Sequence, residues 1–151
     1  LSQKIETKDQ AMHDINSRDD LQRIITVFYS QLLTDHIIGF FFTDIVQLDL
    51  DKHIPKIADF WAFQLLGEKN YQGNVFEVHR QLHLKAALTE DHFHRWVFVL
   101  HSTIDKLYAG PVAEAMKLKA AMIAKKMAQA LASGSSSIEL TEGVRLYPST
   151  R

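Results

Sequence analysis

The chain has no cysteine, which excludes disulfides, thiol chemistry and cysteine-ligated metals. Glycine and proline are scarce, six and three in 151 residues, which is too little punctuation for a many-turned β fold. No apolar run approaches the roughly 18 residues of a membrane span, and the first residues carry no signal-peptide pattern. An excess of one charge is missing too, with 17 Lys and Arg set against 18 Asp and Glu for a net charge of -1. That balance argues against nucleic acid or an anionic membrane as partner, since both reward concentrated positive charge. What the chain does have is apolar mass, 46% of its residues with nine Phe, four Tyr and two Trp, enough for the core of one domain. Eight histidines in so short a chain call for an explanation.

Helical periodicity runs through most of the sequence. Ser17 and Asp20 resemble a capping box, and Leu21, Ile24, Ile25, Phe28 and Leu32 follow at spacings of three and four, with Tyr29 beside that stripe. Ile37 to Phe42 is apolar but broken by Gly39, and reads as a compact corner. A second helix is expected from Asp51 to Gly67 with Ile54, Ile57, Ala58, Trp61 and Leu65 inward and Phe60 beside them. Pro55 should then sit in its first turn, where a missing N–H costs nothing. After a loop over 67–74, a short helix should run through His79. Thr89 can cap the next, whose face is Phe93, Trp96, Val97, Leu100, Ile104 and Leu107. Gly110-Pro111 restarts the chain into a last helix with Val112, Met116, Ala120, Ile123, Met127 and Leu131 inward and four lysines mostly off that line. The expectation is an all-α single domain over 17–132, preceded by an extension at 1–16 and followed by a flexible or partly docked tail at 133–151.

Several chemistries are open to these residues. His53 shares a helix face with Ile57, and His79 follows Phe76 by one turn, so each imidazole borders apolar surface. A neutral imidazole facing an apolar cavity can serve as the single axial ligand of haem iron. The plain alternative is a half-buried histidine bonded to a backbone carbonyl. A zinc site from His79, His83, His92 and His94 is disfavoured, because His92 and His94 diverge on a helix and no HExxH pattern occurs. There is no GxSxG elbow, and the glycines at 67 and 73 lack the spacing of a phosphate loop.

The segments FYSQLL (28–33), IGFFF (38–42), KHIPKIADFWAFQLLGEKNYQGN (52–74), VHRQL (78–82) and LTEDHFHRW (88–96) occur in an order and spacing that resemble the truncated haemoglobins, group III. DFW followed by LLGxxxYxGN is the specific part; the closing helix, AEAMKLKAAMIAKKM (113–127), is generic. The resemblance implies a truncated globin-like helical sandwich around one haem b, iron protoporphyrin IX. It makes His79 the proximal iron ligand, with Leu at the third position beyond it, and leaves His83 as the rival. Extra residues between His79 and Thr89 depart from the group's pattern and put the proximal loop in question.

On the distal side the resemblance matches Tyr29, His53 and Trp96 to positions that stabilise or gate a ligand. Phe42 and Ile57 match positions that pack on the haem, and Lys56 lies near a propionate contact. The function implied is reversible binding of O2, NO or CO, or dioxygenation of NO, with peroxidase-like chemistry or gas sensing as alternatives. Turnover would need an external electron donor, since no flavin or nicotinamide motif occurs. A cytoplasmic monomer is expected.

Overall fold

The computed structural model describes residues 12–69 and 71–138. Among these residues five α-helices follow one another: α1 (Arg18–Leu32), α2 (Leu50–Leu66), α3 (Val75–Lys85), α4 (Glu90–Leu107) and α5 (Pro111–Ser133). One π-helical turn, Phe41–Ile45, lies between α1 and α2. Among the described residues there is no strand, and no helix is long and apolar enough to cross a membrane. The architecture is all-α. Residues 1–11 and 139–151, most of the expected extension and tail, lie outside the described residues.

Two helix pairs make the body. α1 packs on α2, α4 packs on α5, and the pairs meet through α1 against α4 and α2 against α5. α3 packs on α5. The spacings read from the sequence account for the seams. Leu21, Ile24, Ile25, Phe28, Tyr29 and Leu32 are all buried on α1, and Met116, Ala120, Ile123, Met127 and Leu131 on α5. Removing each large apolar side chain from water contributes roughly 1.5–3 kcal/mol, so these stripes and not helix propensity hold the fold.

The helix starts are capped as their sequences require. Ser17 Oγ accepts the Asp20 N–H at 3.2 Å, while Asp20 Oδ2 accepts from the Asn16 backbone at 2.9 Å. Asp49 accepts from Asp51, and Asn74 Oδ1 from Glu77. Gly67 ends α2 at φ 73°, a left-handed conformation that L side chains resist. The cap of α5 comes from far away in the chain: Asp14 Oδ2 and Oδ1 accept the N–H groups of Val112 and Ala113, both at 2.9 Å. Gly110, at φ 149°, lets Asp14 in, because a β-carbon there would collide with its carboxyl group. Ile15 follows it into the core, 2% exposed.

Three local expectations need correction. α2 begins at Leu50, so Pro55 lies in its second turn and not its first; the Asp51 carbonyl consequently has no N–H four residues on. α3 continues past His79 to Lys85, because no glycine or proline interrupts it and Leu82 still packs against the core. Lys119 is 4% exposed, buried on α5 instead of lying off its apolar face.

Candidate functional site

Although consecutive in the chain, α2 and α3 pack chiefly on other helices, α2 on α1 and α3 on α5. The histidines of interest stand on these two helices, His53 in the first turns of α2 and His79 in the middle of α3. Each is half-buried. Burial holds the pKa of both rings below the usual value, and the charge of His79 depresses that of His53 further, followed by that of Lys56. The two imidazoles are therefore within electrostatic reach of each other, and both are neutral near pH 7.

On α3, Asn74 starts the helix and the ring of His79 turns back to bond Val75, its Nδ1 2.8 Å from that carbonyl. A carbonyl only accepts, so Nδ1 carries the proton and the lone pair of the neutral ring is on Nε2. His83, one turn later, is the converse case. Its Nδ1 accepts the Leu88 backbone N–H at 2.9 Å, which puts the proton of the neutral ring on Nε2. Of the two rings, only that of His79 keeps an unshared nitrogen lone pair.

His79 lines a small cavity of about 40 Å³ together with Ile38, Phe41, Leu82, Leu88, His92, Phe93 and Trp96. Its ring lies 6.2 Å from that of Phe93. The walls are apolar because α4 directs Phe93 and Trp96 toward the corner that carries Ile38 and Phe41. Trp96 also meets Phe28 edge-on at 5.9 Å, and through Phe28 it is joined to Tyr29, 5.4 Å further on.

A second cluster centres on Tyr29. Its hydroxyl is 2.7 Å from His53 Nε2, and its ring meets those of His53 at 5.2 Å and Phe42 at 5.7 Å, both edge-on. Burial raises the pKa of Tyr29, so the phenol keeps its proton. Ile57, one turn beyond His53, is half-buried against the core, whereas Lys56 is exposed.

The seven residues singled out in the sequence thus fall into a cavity group, His79 and Trp96, and a hydroxyl–imidazole group, Tyr29, His53 and Phe42, with Ile57 and Lys56 beside the latter. Sequence reasoning passed over Ile38, Phe41, Leu88 and Phe93 as lining residues. Phe93 stood on a recognised helical stripe and Phe41 in a recognised apolar corner, but neither signal distinguishes a cavity wall from ordinary core. Among the described residues, no three His, Asp or Glu side chains gather in a way that could hold a metal ion by themselves.

No protein-family model matches the chain. Among curated proteins, it is similar to the group 3 truncated haemoglobin ctb of Campylobacter jejuni, 23% identical over 111 residues, which span 72% of this chain and 85% of that protein. Among solved structures, it superimposes on the group III truncated haemoglobin from Campylobacter jejuni with a TM-score of 0.69 and 23% identity, covering 80% of this chain and 94% of the other. The two helix pairs, with α3 against α5, are accordingly a truncated globin fold.

Proposed function

We propose that this chain is a haem protein of the group III truncated haemoglobin kind, holding one haem b between α2 and α3 and a diatomic gas upon it. One observation carries the reading: His79, with Nδ1 committed to Val75, stands on a helix that rests mainly on α5, within electrostatic reach of His53, which is bonded to Tyr29. The donor set fits haem. A single neutral imidazole with a free Nε2 lone pair is what an axial position needs, and its bond to a backbone carbonyl fixes the ring and raises its basicity. The partly open pocket of about 40 Å³ beside His79 is smaller than a porphyrin, so the haem would extend from it into the space between α2 and α3.

Haem iron, when bound, supplies a redox-active Lewis acid for O2, NO or CO. The chain's own residues do the rest. His79 would hold the iron through Nε2. Tyr29 O–H and Trp96 N–H are the groups able to donate hydrogen bonds to a partly negative ligand atom. Phe42 and Ile57 keep water out, His53 stands at the entry as a gate, and exposed Lys56 offers a cation to a propionate. Residues 17–132 form the unit that carries this site. For NO dioxygenation an external electron donor is required.

Reconstitution of the purified chain with haem tests the proposal. A Soret band that shifts on adding CO is expected, and its absence would overturn the reading. Sustained NO consumption with a reductase present would mark an enzyme, whereas a single stoichiometric oxidation would mark a ligand carrier.

A further inference from the structure

The turn joining α3 to α4 is held in an unusual way. Two consecutive backbone N–H groups, those of Leu88 and Thr89, are each accepted by the Nδ1 of a histidine, and the two histidines come from different helices. His83 of α3 accepts from Leu88 at 2.9 Å, and His92 of α4 accepts from Thr89 at 3.0 Å. We propose that His83 and His92 form a proton-operated latch, which holds this turn while both rings are neutral and releases it when they take up protons.

A backbone N–H can only donate, so each bond requires an unprotonated Nδ1. The imidazolium ion carries a proton on both nitrogens and has no acceptor, so protonation ends each backbone bond; at His92 the new Nδ1–H turns to the Thr89 hydroxyl oxygen, 3.1 Å away, and no longer serves the backbone N–H. The histidine is ordinarily the side chain that changes charge between pH 5 and 8. At His92 the new charge would also lie at the positive end of the α4 dipole, where a cation is repelled. Protons can reach both sites, since the Thr89 bond is exposed and the Leu88 bond half-buried.

Among the described residues, neither ring is hydrogen-bonded or ion-paired to a charged side chain. His92 faces the rings of Phe40 and Phe41, at 6.1 and 4.9 Å, and shares its cavity with His79. On its own helix Glu90 and Asp91 precede it, and Arg95 is turned to Asp35. Near His83, Arg80 is tied to Glu77, and Lys85 lies two residues on. α5, which packs on α3, brings lysines and one acid, Glu114, itself paired with Lys117. Release of the turn would move Leu88, a wall of the His79 cavity. The latch itself does not rest on the proposed haem site.

The full chain as purified, labelled with 15N, provides the test. Imidazole shifts report protonation of each ring, and amide exchange, corrected for intrinsic rates, reports the two bonds. Protection at Leu88 and Thr89 should fall by about fivefold or more as the rings protonate, on the order of one lost hydrogen bond. His83→Leu should reproduce the loss at Leu88 at neutral pH and spare Thr89. In His92→Glu, where the carboxylate accepts the same N–H, Thr89 should stay protected after wild-type protection has gone. Protection that persists at both amides while both rings are charged would overturn the latch. So would an unchanged acid response of Thr89 in His92→Glu.

Discussion

The hydroxyl of Tyr29 lies 2.7 Å from Nε2 of His53, joining α1 to α2. With the tyrosine pKa raised and the histidine pKa lowered, both groups are neutral, and one proton lies between them. Its position decides what the pair can offer. When Tyr29 donates to Nε2, its proton is spent on the protein. When His53 donates through Nε2–H, the phenol proton is free for a ligand. The tautomer of His53 thus sets whether the Tyr29 proton is available.

From this follows a first expectation for His53→Ala. Deleting the imidazole opens the entry and leaves the Tyr29 hydroxyl in place, so CO association should change more than CO dissociation. Flash photolysis of the haem-loaded chain measures both. A dissociation rate altered more than the association rate would instead make His53 the principal ligand contact.

Acid should weaken the fold through the same imidazoles. His53 and His79 both have folded pKa values below the ordinary 6.5. Below pH 6.5 the unfolded chain therefore binds more protons than the folded one, and stability falls as pH drops from 6.5 toward the folded values. Above 6.5 neither group contributes a slope. Each can add at most about 1.4 kcal/mol per pH unit inside that window. Urea midpoints between pH 5 and 8 should show the decline, and His53→Leu should flatten it. A midpoint independent of pH across 5 to 6.5 would contradict the burial of both rings.

The helical seams were legible in the sequence because a stripe at spacings of three and four leaves one solution, and α1 and α5 bury nearly all of theirs. Boundaries depending on a single residue were less so. Nothing near Asp51 revealed that Asp49 would cap α2 and push Pro55 into the second turn. The relationships that make the site are long-range, as with Tyr29 and His53 at 24 residues' separation, or turn on which nitrogen of an imidazole holds a proton. His92 is an intermediate case. It occupies the third helical position after Thr89, where a capping box normally has Glu or Gln, and only that offset hinted at an acceptor.

Asp14 should matter to stability despite standing outside every helix. Pro111 has no N–H to give, so the free donors at the start of α5 are those of Val112 and Ala113, and Asp14 takes both. Its charge also complements the helix dipole. Asp14→Ala should cost about 0.5–2 kcal/mol, the usual range for losing a helix cap. Chemical denaturation at pH 7 measures this. No loss of stability would mean that water replaces the carboxylate without penalty.

His79 and His83 should behave differently when each is removed. His79 retains its Nε2 lone pair, while His83 has committed Nδ1 to Leu88 and carries its proton on Nε2. His79→Ala should lose the axial ligand and most haem retention; His83→Ala should keep a histidine-ligated spectrum. Resonance Raman of the ferrous, ligand-free proteins reports the iron–histidine stretch. Retention of that band in His79→Ala together with its loss in His83→Ala would shift the proximal assignment by one helical turn.

Tyr29 and Trp96 should together hold O2 more strongly than CO. O2 gathers partial negative charge on its outer atom when held at haem iron and CO gathers much less, so aimed donors distinguish the two electrostatically. A hydrogen bond to a charged group is worth roughly 1.5–3 kcal/mol, so Tyr29→Phe should speed O2 dissociation roughly 10- to 150-fold. Trp96→Phe removes the indole N–H while keeping most of the apolar volume, and should act in the same direction. The two side chains are linked through Phe28, whose ring lies 5.4 Å from Tyr29 and 5.9 Å from Trp96, so a shift of one is transmitted to the other. The double variant should accordingly depart from the sum of the singles. His53 adds a further control: if Tyr29 normally donates to Nε2, His53→Ala frees the phenol proton and should enlarge the Tyr29→Phe effect. Stopped-flow displacement of O2 by CO measures every rate. Dissociation within about twofold of wild type in both singles and the double, a change worth only about 0.4 kcal/mol, would leave Tyr29 as a partner of His53 alone and Trp96 as a wall of the cavity.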